Sequence, residues 1–163
     1  MKIWISIFCL FICVSRVLLA EDSFVEMTVK LSPVGSYVAK TSDIQGSVKL
    51  VGNKVIATDV KVKTKTLKTG IALRDKHTQE RLEAGKYPEI ILVSGEGESG
   101  NGKGKIKIRG IEKPVSGTYK VEGNKILAQF KLSIKDFGIE NVKYLGVGVK
   151  DEIEIKVQIP ISK

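Results

Sequence analysis

The chain has 163 residues, 42% of them hydrophobic and 28% charged, and a formal net charge of +9. This length favours one domain, long enough to bury a core without staples. A basic balance suits nucleic acid, an anionic membrane surface or a solvated lysine-rich exterior, and the leader that opens the chain argues against nucleic acid.

Residues 1–20, MKIWISIFCLFICVSRVLLA, set one lysine before a long apolar run and end on the small residue Ala20. That is the pattern of a secretory signal peptide, with residues 21–163 as the mature domain. Arg16 interrupts the run and Leu18 is large for its place, while an uncleaved anchor would want about 20 apolar residues. Cys9 and Cys13 both lie in the leader, so the mature domain has no disulfide and no Cys-based metal site. Ile12 before Cys13 and Phe8 before Cys9 argue against a lipid anchor. Loss of Lys2 and Arg16 takes the charge from +9 to +7.

Beyond the leader, alternation of apolar and polar residues dominates. Val25, Met27, Val29 and Leu31 share one face of the first strand. Ile56, Thr58, Val60 and Val62 share a face in the next clear one. Ile106 and Ile108 alternate with Lys105, Lys107 and Arg109. Ile126, Ala128, Phe130, Leu132 and Ile134 line up in KILAQFKLSI, and Val147, Val149, Ile153, Ile155, Val157 and Ile159 in the last strand. Asp151 falls on that same apolar side, an oddity. Strands with one greasy and one lysine-bearing face are half-buried antiparallel strands, and Gly52-Asn53, Gly100–Gly104, Gly123-Asn124 and Gly138 mark turns. Regular short strands predict a barrel or a sandwich, and closure removes exposed edges.

One stretch breaks the pattern. Ile71, Asp75, Thr78 and Leu82 recur at helical intervals, Gly85 ends the run and Pro88 blocks its continuation. A short helix near residues 71–84 therefore carries Arg74, Asp75 and His77, the chain's only histidine. Tyr87-Pro88 leads back into a strand that carries Ile90.

Several motifs match on paper and fail in context. Gly95–Gly100 fits a dinucleotide fingerprint but precedes an alternating strand rather than a helix. Gly97–Lys103 lacks the Ser or Thr of a phosphate loop. Asp136-Phe137-Gly138 stands without any other kinase element. His77 with Asp75 suggests acid–base work, yet no nucleophile elbow accompanies them, and one histidine with scattered carboxylates is a poor metal-ligand set.

Taken in order, Leu67-x-Thr69-Gly70, Arg74-Asp75-x-His77, Lys86-Tyr87-Pro88-x-Ile90, Gly104-x-x-x-Ile108-x-Gly110 with Pro114-Val115, Asp136-Phe137-Gly138-Ile139 and Asp151-Glu152-Ile153-x-Ile155-x-Val157 resemble the YceI-like, lipid- or polyisoprenoid-binding family. The likeness runs from about Asp22 to Ile161. It departs at Thr78, where a larger apolar residue is common, and at Arg81, where an aromatic can stand. The resemblance implies an all-β, lipocalin-like, eight-stranded antiparallel barrel with one inserted helix, exported to the periplasm. It also implies a long-chain isoprenoid or other amphiphilic lipid held in an apolar cavity.

On that reading the cavity candidates are Val29, Val62, Ile90, Ile106, Ile108, Phe130, Leu132, Ile153 and Ile155. Arg74, Asp75, His77 and Tyr87 are candidates for head-group or lid contacts. No catalytic residue, metal or cofactor is expected, nucleic acid is not a partner, and contact with a membrane surface would be transient. The oligomeric state stays open, a dimer being one option. Two rivals remain: an enzyme acting on such a lipid with His77 and Asp75 as acid and base, and a basic module that binds an anionic envelope surface.

Overall fold

The computed structural model describes residues 23–162; the expected signal peptide and both cysteines lie outside the described residues. Among the described residues there are ten strands: β1 (Phe24–Ser32), β2 (Ser36–Thr41), β3 (Ile44–Val51), β4 (Lys54–Lys63), β5 (Glu89–Glu98), β6 (Asn101–Ile108), β7 (Ile111–Glu122), β8 (Lys125–Ser133), β9 (Lys143–Tyr144) and β10 (Val147–Pro160). The helix α1 (Ala72–Arg81) lies between β4 and β5, and short 3₁₀ turns span Thr64–Thr66 and Lys135–Phe137. The strands form one antiparallel sheet in the order β2-β1-β10-β8-β7-β6-β5-β4-β3, with β9 paired to the start of β10. This is the expected all-β fold with one inserted helix.

The ends of that order, β2 and β3, are consecutive in the chain and joined only through Ser42-Asp43. They act as two halves of one bent strand, the first paired to β1 and the second to β4. The sheet therefore curls back on itself. Counting the bent strand once and leaving β9 aside recovers the expected eight. Single bridges finish the seam: Lys40 exchanges backbone hydrogen bonds with Lys68 at 2.8 and 2.9 Å, and Ser162 N donates to Val48 O at 2.7 Å.

Alternation sets the inward face as expected in β1, β6, β8 and β10, where Val25, Met27, Val29, Ile106, Ile108, Ile126, Leu132, Ile153, Ile155 and Ile159 are buried. In β4 it does not hold throughout. Val60 and Val62 face inward, but Val55 is buried and Ile56 is 37% exposed. A bulge reverses the phase: Asp59 has φ 48°, and the β3–β4 register skips between Gln45 and Ser47. Gly46 sits opposite with φ 123°, where a Cβ would lie 2.6 Å from Val60 Cα and 2.7 Å from Asp59 O. Glycine is required there because that space is filled by backbone.

The helix also ends differently from the expectation. Ala84 N donates to Gln79 O at 2.9 Å and Glu83 N to Glu80 O at 3.0 Å, the paired bonds of a Schellman cap. The left-handed residue of that cap is Glu83 (φ 49°), not Gly85. Its carboxylate forms an ion pair with Arg109 Nη2. Arg109 is itself left-handed (φ 50°) in the tight Arg109-Gly110 turn between β6 and β7. Its Nη1 donates to Phe137 O at 3.1 Å and Gly138 O at 2.6 Å. One guanidinium thus joins the end of α1, the β6–β7 hairpin and the turn that carries the buried Phe137.

Asp151, the polar residue on an apolar side, caps the same turn. Its carboxylate accepts from Ser133 Oγ at 2.8 and 2.9 Å and from Lys135 N at 3.0 Å. The Lys135 backbone N–H, helped by the Ser133 hydroxyl, holds this carboxyl below the usual Asp range.

Two outcomes follow. Arg109→Ala should lower the free energy of unfolding by about 2 kcal/mol, the scale of lost hydrogen bonds to a charged group, read as a reduced urea midpoint at unchanged circular dichroism. The second concerns acid. The folded chain binds a proton at Asp151 less readily than the unfolded chain, so that contribution is full above about pH 4 and is lost as pH falls through the depressed folded-state value. Asp151→Asn should therefore lose stability at neutral pH, with the gap to wild type narrowing below about pH 4 in acid-unfolding curves.

Candidate functional site

Two cavities abut inside the curl. The inner one, about 190 Å³, is walled almost wholly by apolar side chains of β1, β3–β8, β10 and residues 134–139. The outer one, about 800 Å³, lies between α1, the inward faces of β1 and β10, and residues 139–147. Met27, Ile134, Ile139 and Ile153 line both. The outer volume falls within the roughly 300–1,000 Å³ of ordinary ligand pockets, and the inner one extends it as a narrow apolar recess.

The nine cavity candidates lie on these walls. Val62, Ile90, Ile106, Ile108, Phe130, Leu132 and Ile155 line the inner cavity, Val29 the outer, and Ile153 both. Five glycines of the inner wall stand inside strands, where the sequence reading marked Gly100–Gly104 as a turn. Gly95, Gly97, Gly102, Gly104 and Gly117 lie within β5, β6 and β7 and line the inner cavity. A Cβ at Gly104 would collide with Ser94 O, and one at Gly117 with Gln129 O. These strands stay close only while those positions carry no side chain.

The four helix-side candidates divide. Arg74 and His77 line the outer cavity; Asp75 and Tyr87 line neither. The Arg74 guanidinium lies 4.5 Å from the centre of the Tyr37 ring, a cation–π contact. Burial pushes the Tyr37 phenol up, while a hydrogen bond with Thr78 and the charge of Arg74 act against that rise. His77 meets the Tyr144 ring with centroids 5.1 Å apart, so α1 and the β9–β10 hairpin touch across the outer cavity.

Asp75 is occupied elsewhere. Its Oδ1 accepts from Thr69 Oγ1 at 2.6 Å and Thr69 N at 2.7 Å, and Lys68 Nζ stands 3.9 Å away. The Thr69 hydroxyl, then its N–H, hold this carboxyl below the usual range. Asp75 thus ties the start of α1 to the segment that bridges β2. A carboxylate held this way is a weak base. Tyr87 packs on Gly110, where a Cβ would lie 2.9 Å from its ring, and Lys86 Nζ sits 5.0 Å from the ring centre. The tyrosine fixes the exit from the helix, and the neighbouring Thr64 Oγ1 donates to its carbonyl at 3.1 Å.

The sequence reading did not single out Tyr37, Lys143, Tyr144 or Leu145, which line the outer cavity from β2 and the β9–β10 hairpin. Thr78 and Arg81, the two departures from the family pattern, also line it. Among the described residues, no cluster of three or more His, Cys, Asp or Glu side chains is placed to hold a metal ion.

A family model described as the YceI-like domain matches residues 17–161. Solved structures share the fold at low identity. BcnA of Burkholderia cenocepacia aligns with TM-score 0.67 and 16% identity over 85% of this chain and 96% of that one. A polyisoprenoid binding domain from Saccharophagus degradans, implicated in plant cell wall breakdown, aligns with TM-score 0.55 and 11% identity over 83% and 91%. A YCEI protein of Campylobacter jejuni aligns with TM-score 0.52 and 18% identity over 74% and 82%. No curated protein sequence matches the chain.

Proposed function

The chain belongs to the YceI-like family, and from that membership we propose that it is an exported protein that holds a long-chain isoprenoid or similar amphiphilic lipid in its barrel without converting it. One observation carries this reading: a narrow recess walled by Ile and Val abuts a wider cavity whose lining includes Arg74, His77, Thr78 and Tyr37. A tail fits the first environment and a polar head the second. Burial of the tail would contribute up to about 0.8 kcal/mol per CH₂, offset by the ordering of the chain. The Saccharophagus degradans neighbour, a polyisoprenoid binding domain, supports the same ligand class.

The acid–base alternative finds little support. His77 faces Tyr144 while Asp75 is engaged by Thr69, so the two do not act as a pair. Export to the periplasm rests on the leader at residues 1–20, with its apolar run and Ala20.

Mass spectrometry of an organic extract of natively purified protein should detect an amphiphile with a long apolar tail. Val62→Trp and Ile108→Trp, each on the inner wall, should lose that lipid while costing about 1–3 kcal/mol of stability, the usual penalty of overpacking. If the wild type carries no lipid and binds no isoprenoid, the proposal fails.

His77→Gln should keep lipid binding within about tenfold, or roughly 1.4 kcal/mol; a much larger loss in a folded variant would make His77 essential. Intact mass of the exported protein should lack about the first 20 residues, where a signal peptide would be cleaved.

A further inference from the structure

We propose that the rim of the outer cavity docks on an anionic bilayer surface, so that a lipid tail passes between bilayer and barrel without crossing water. The inference rests on the lipid-holding reading above, and it begins from exposed apolar side chains. Leu145 is 86% and Val34 83% exposed, and Tyr144, Leu73 and Ile71 are each about half exposed. They are not scattered. Ile71 and Leu73 stand on one bank of the outer cavity, Tyr144 and Leu145 on the other.

Val34 belongs to the β1–β2 turn at the same end of the barrel. There Ser32 pairs with Gly148, next to the β9–β10 turn that carries Leu145. The two most exposed apolar side chains therefore sit on neighbouring hairpin tips beside one opening. Soluble monomers seldom gather apolar groups this way without a partner surface.

Charge selects the partner. Arg74, Arg81 and Lys143 line the outer cavity with Glu80 as the acidic lining residue, and Lys76 Nζ lies 3.9 Å from that glutamate. Apolar tips that enter the acyl boundary, with cations at head-group level, match an anionic bilayer. A second copy meeting this rim across a two-fold axis would bring cations against cations, which disfavours a self-association site.

The test uses the protein as isolated from expressing cells. It is mixed with phosphatidylglycerol–phosphatidylcholine vesicles and, separately, with phosphatidylcholine vesicles; co-sedimentation gives the partition, and an organic extract of each protein before mixing gives the bound lipid. Wild type should partition at least tenfold more strongly to the anionic vesicles. Val34→Asp and Leu145→Asp should each weaken that partition by tenfold or more, and Lys143→Glu should reduce the anionic preference. Val34 lines neither cavity, so its variant should keep its bound lipid. Equal partition to both vesicle types, or aspartate variants that sediment like wild type, would overturn docking. So would a wild-type dimer that Leu145→Asp dissociates with vesicle binding unchanged. Absence of lipid from every extract would count against the holding function, while sedimentation would still decide docking.

Discussion

The constraint on which this molecule turns is the closure of a single sheet. A sheet with free ends leaves rows of backbone N–H and C=O groups without partners. Here one stretch of chain serves both ends, bending at Ser42-Asp43 so that β2 pairs with β1 and β3 with β4. Thr41 Oγ1 holds the bend, accepting from Asp43 N at 3.1 Å and lying 2.8 Å from Thr66 Oγ1. The outer edge of β2 is then covered by Lys68, and the next residue, Thr69, is gripped by Asp75. The helix is placed by this sequence of contacts. Its position over the barrel end is a by-product of sealing an edge, and the outer cavity lies beneath it.

Closure also accounts for the hollow. An eight-stranded ring has an interior just wide enough for its side chains or for one ligand. The inward residues of β6, β8 and β10 are mostly Ile and Leu, while facing positions in β5, β6 and β7 are glycine. At Gly97, Gly104 and Gly117 the place of a Cβ is taken by the Tyr119 ring or by neighbouring backbone, so these strands lie close together. The wall is therefore apolar and featureless, suited to a tail whose recognition depends on area more than on directional bonds. At the outer end directional groups gather around Arg74, Thr78 and Tyr37.

What could be read from the sequence was whatever repeats locally. The face of β1, β6, β8 and β10 follows from period two, and with it the cavity positions Val29, Ile106, Ile108, Phe130, Leu132, Ile153 and Ile155. Three features escaped for a common reason: each depends on a partner distant in the chain. The phase reversal in β4 needs Gly46 on the neighbouring strand to admit the Asp59 bulge. The helix could end at Glu83 because Arg109 receives its carboxylate. His77 finds Tyr144 only once the β9–β10 hairpin folds over the cavity. The glycines of β5 and β6 misled differently. Glycine marks turns by its freedom in φ, but here it also marks strands packed too tightly for a Cβ.

The long strand β10 has a consequence for how the chain acquires its shape. It lies between β1 and β8, and its pairing sets Gln158 beside Phe24. Until β10 arrives, β1 has only the short β2 beside it, and Val25, Met27 and Val29 lack their opposite neighbours. The hairpins from β4 to β8 can form from near-neighbour contacts, but the ring cannot. Its decisive contact spans most of the sequence, so the entropy of closing that loop is lost before burial returns it. Such high contact order places folding in the millisecond-to-second range expected of barrels closed by distant strands.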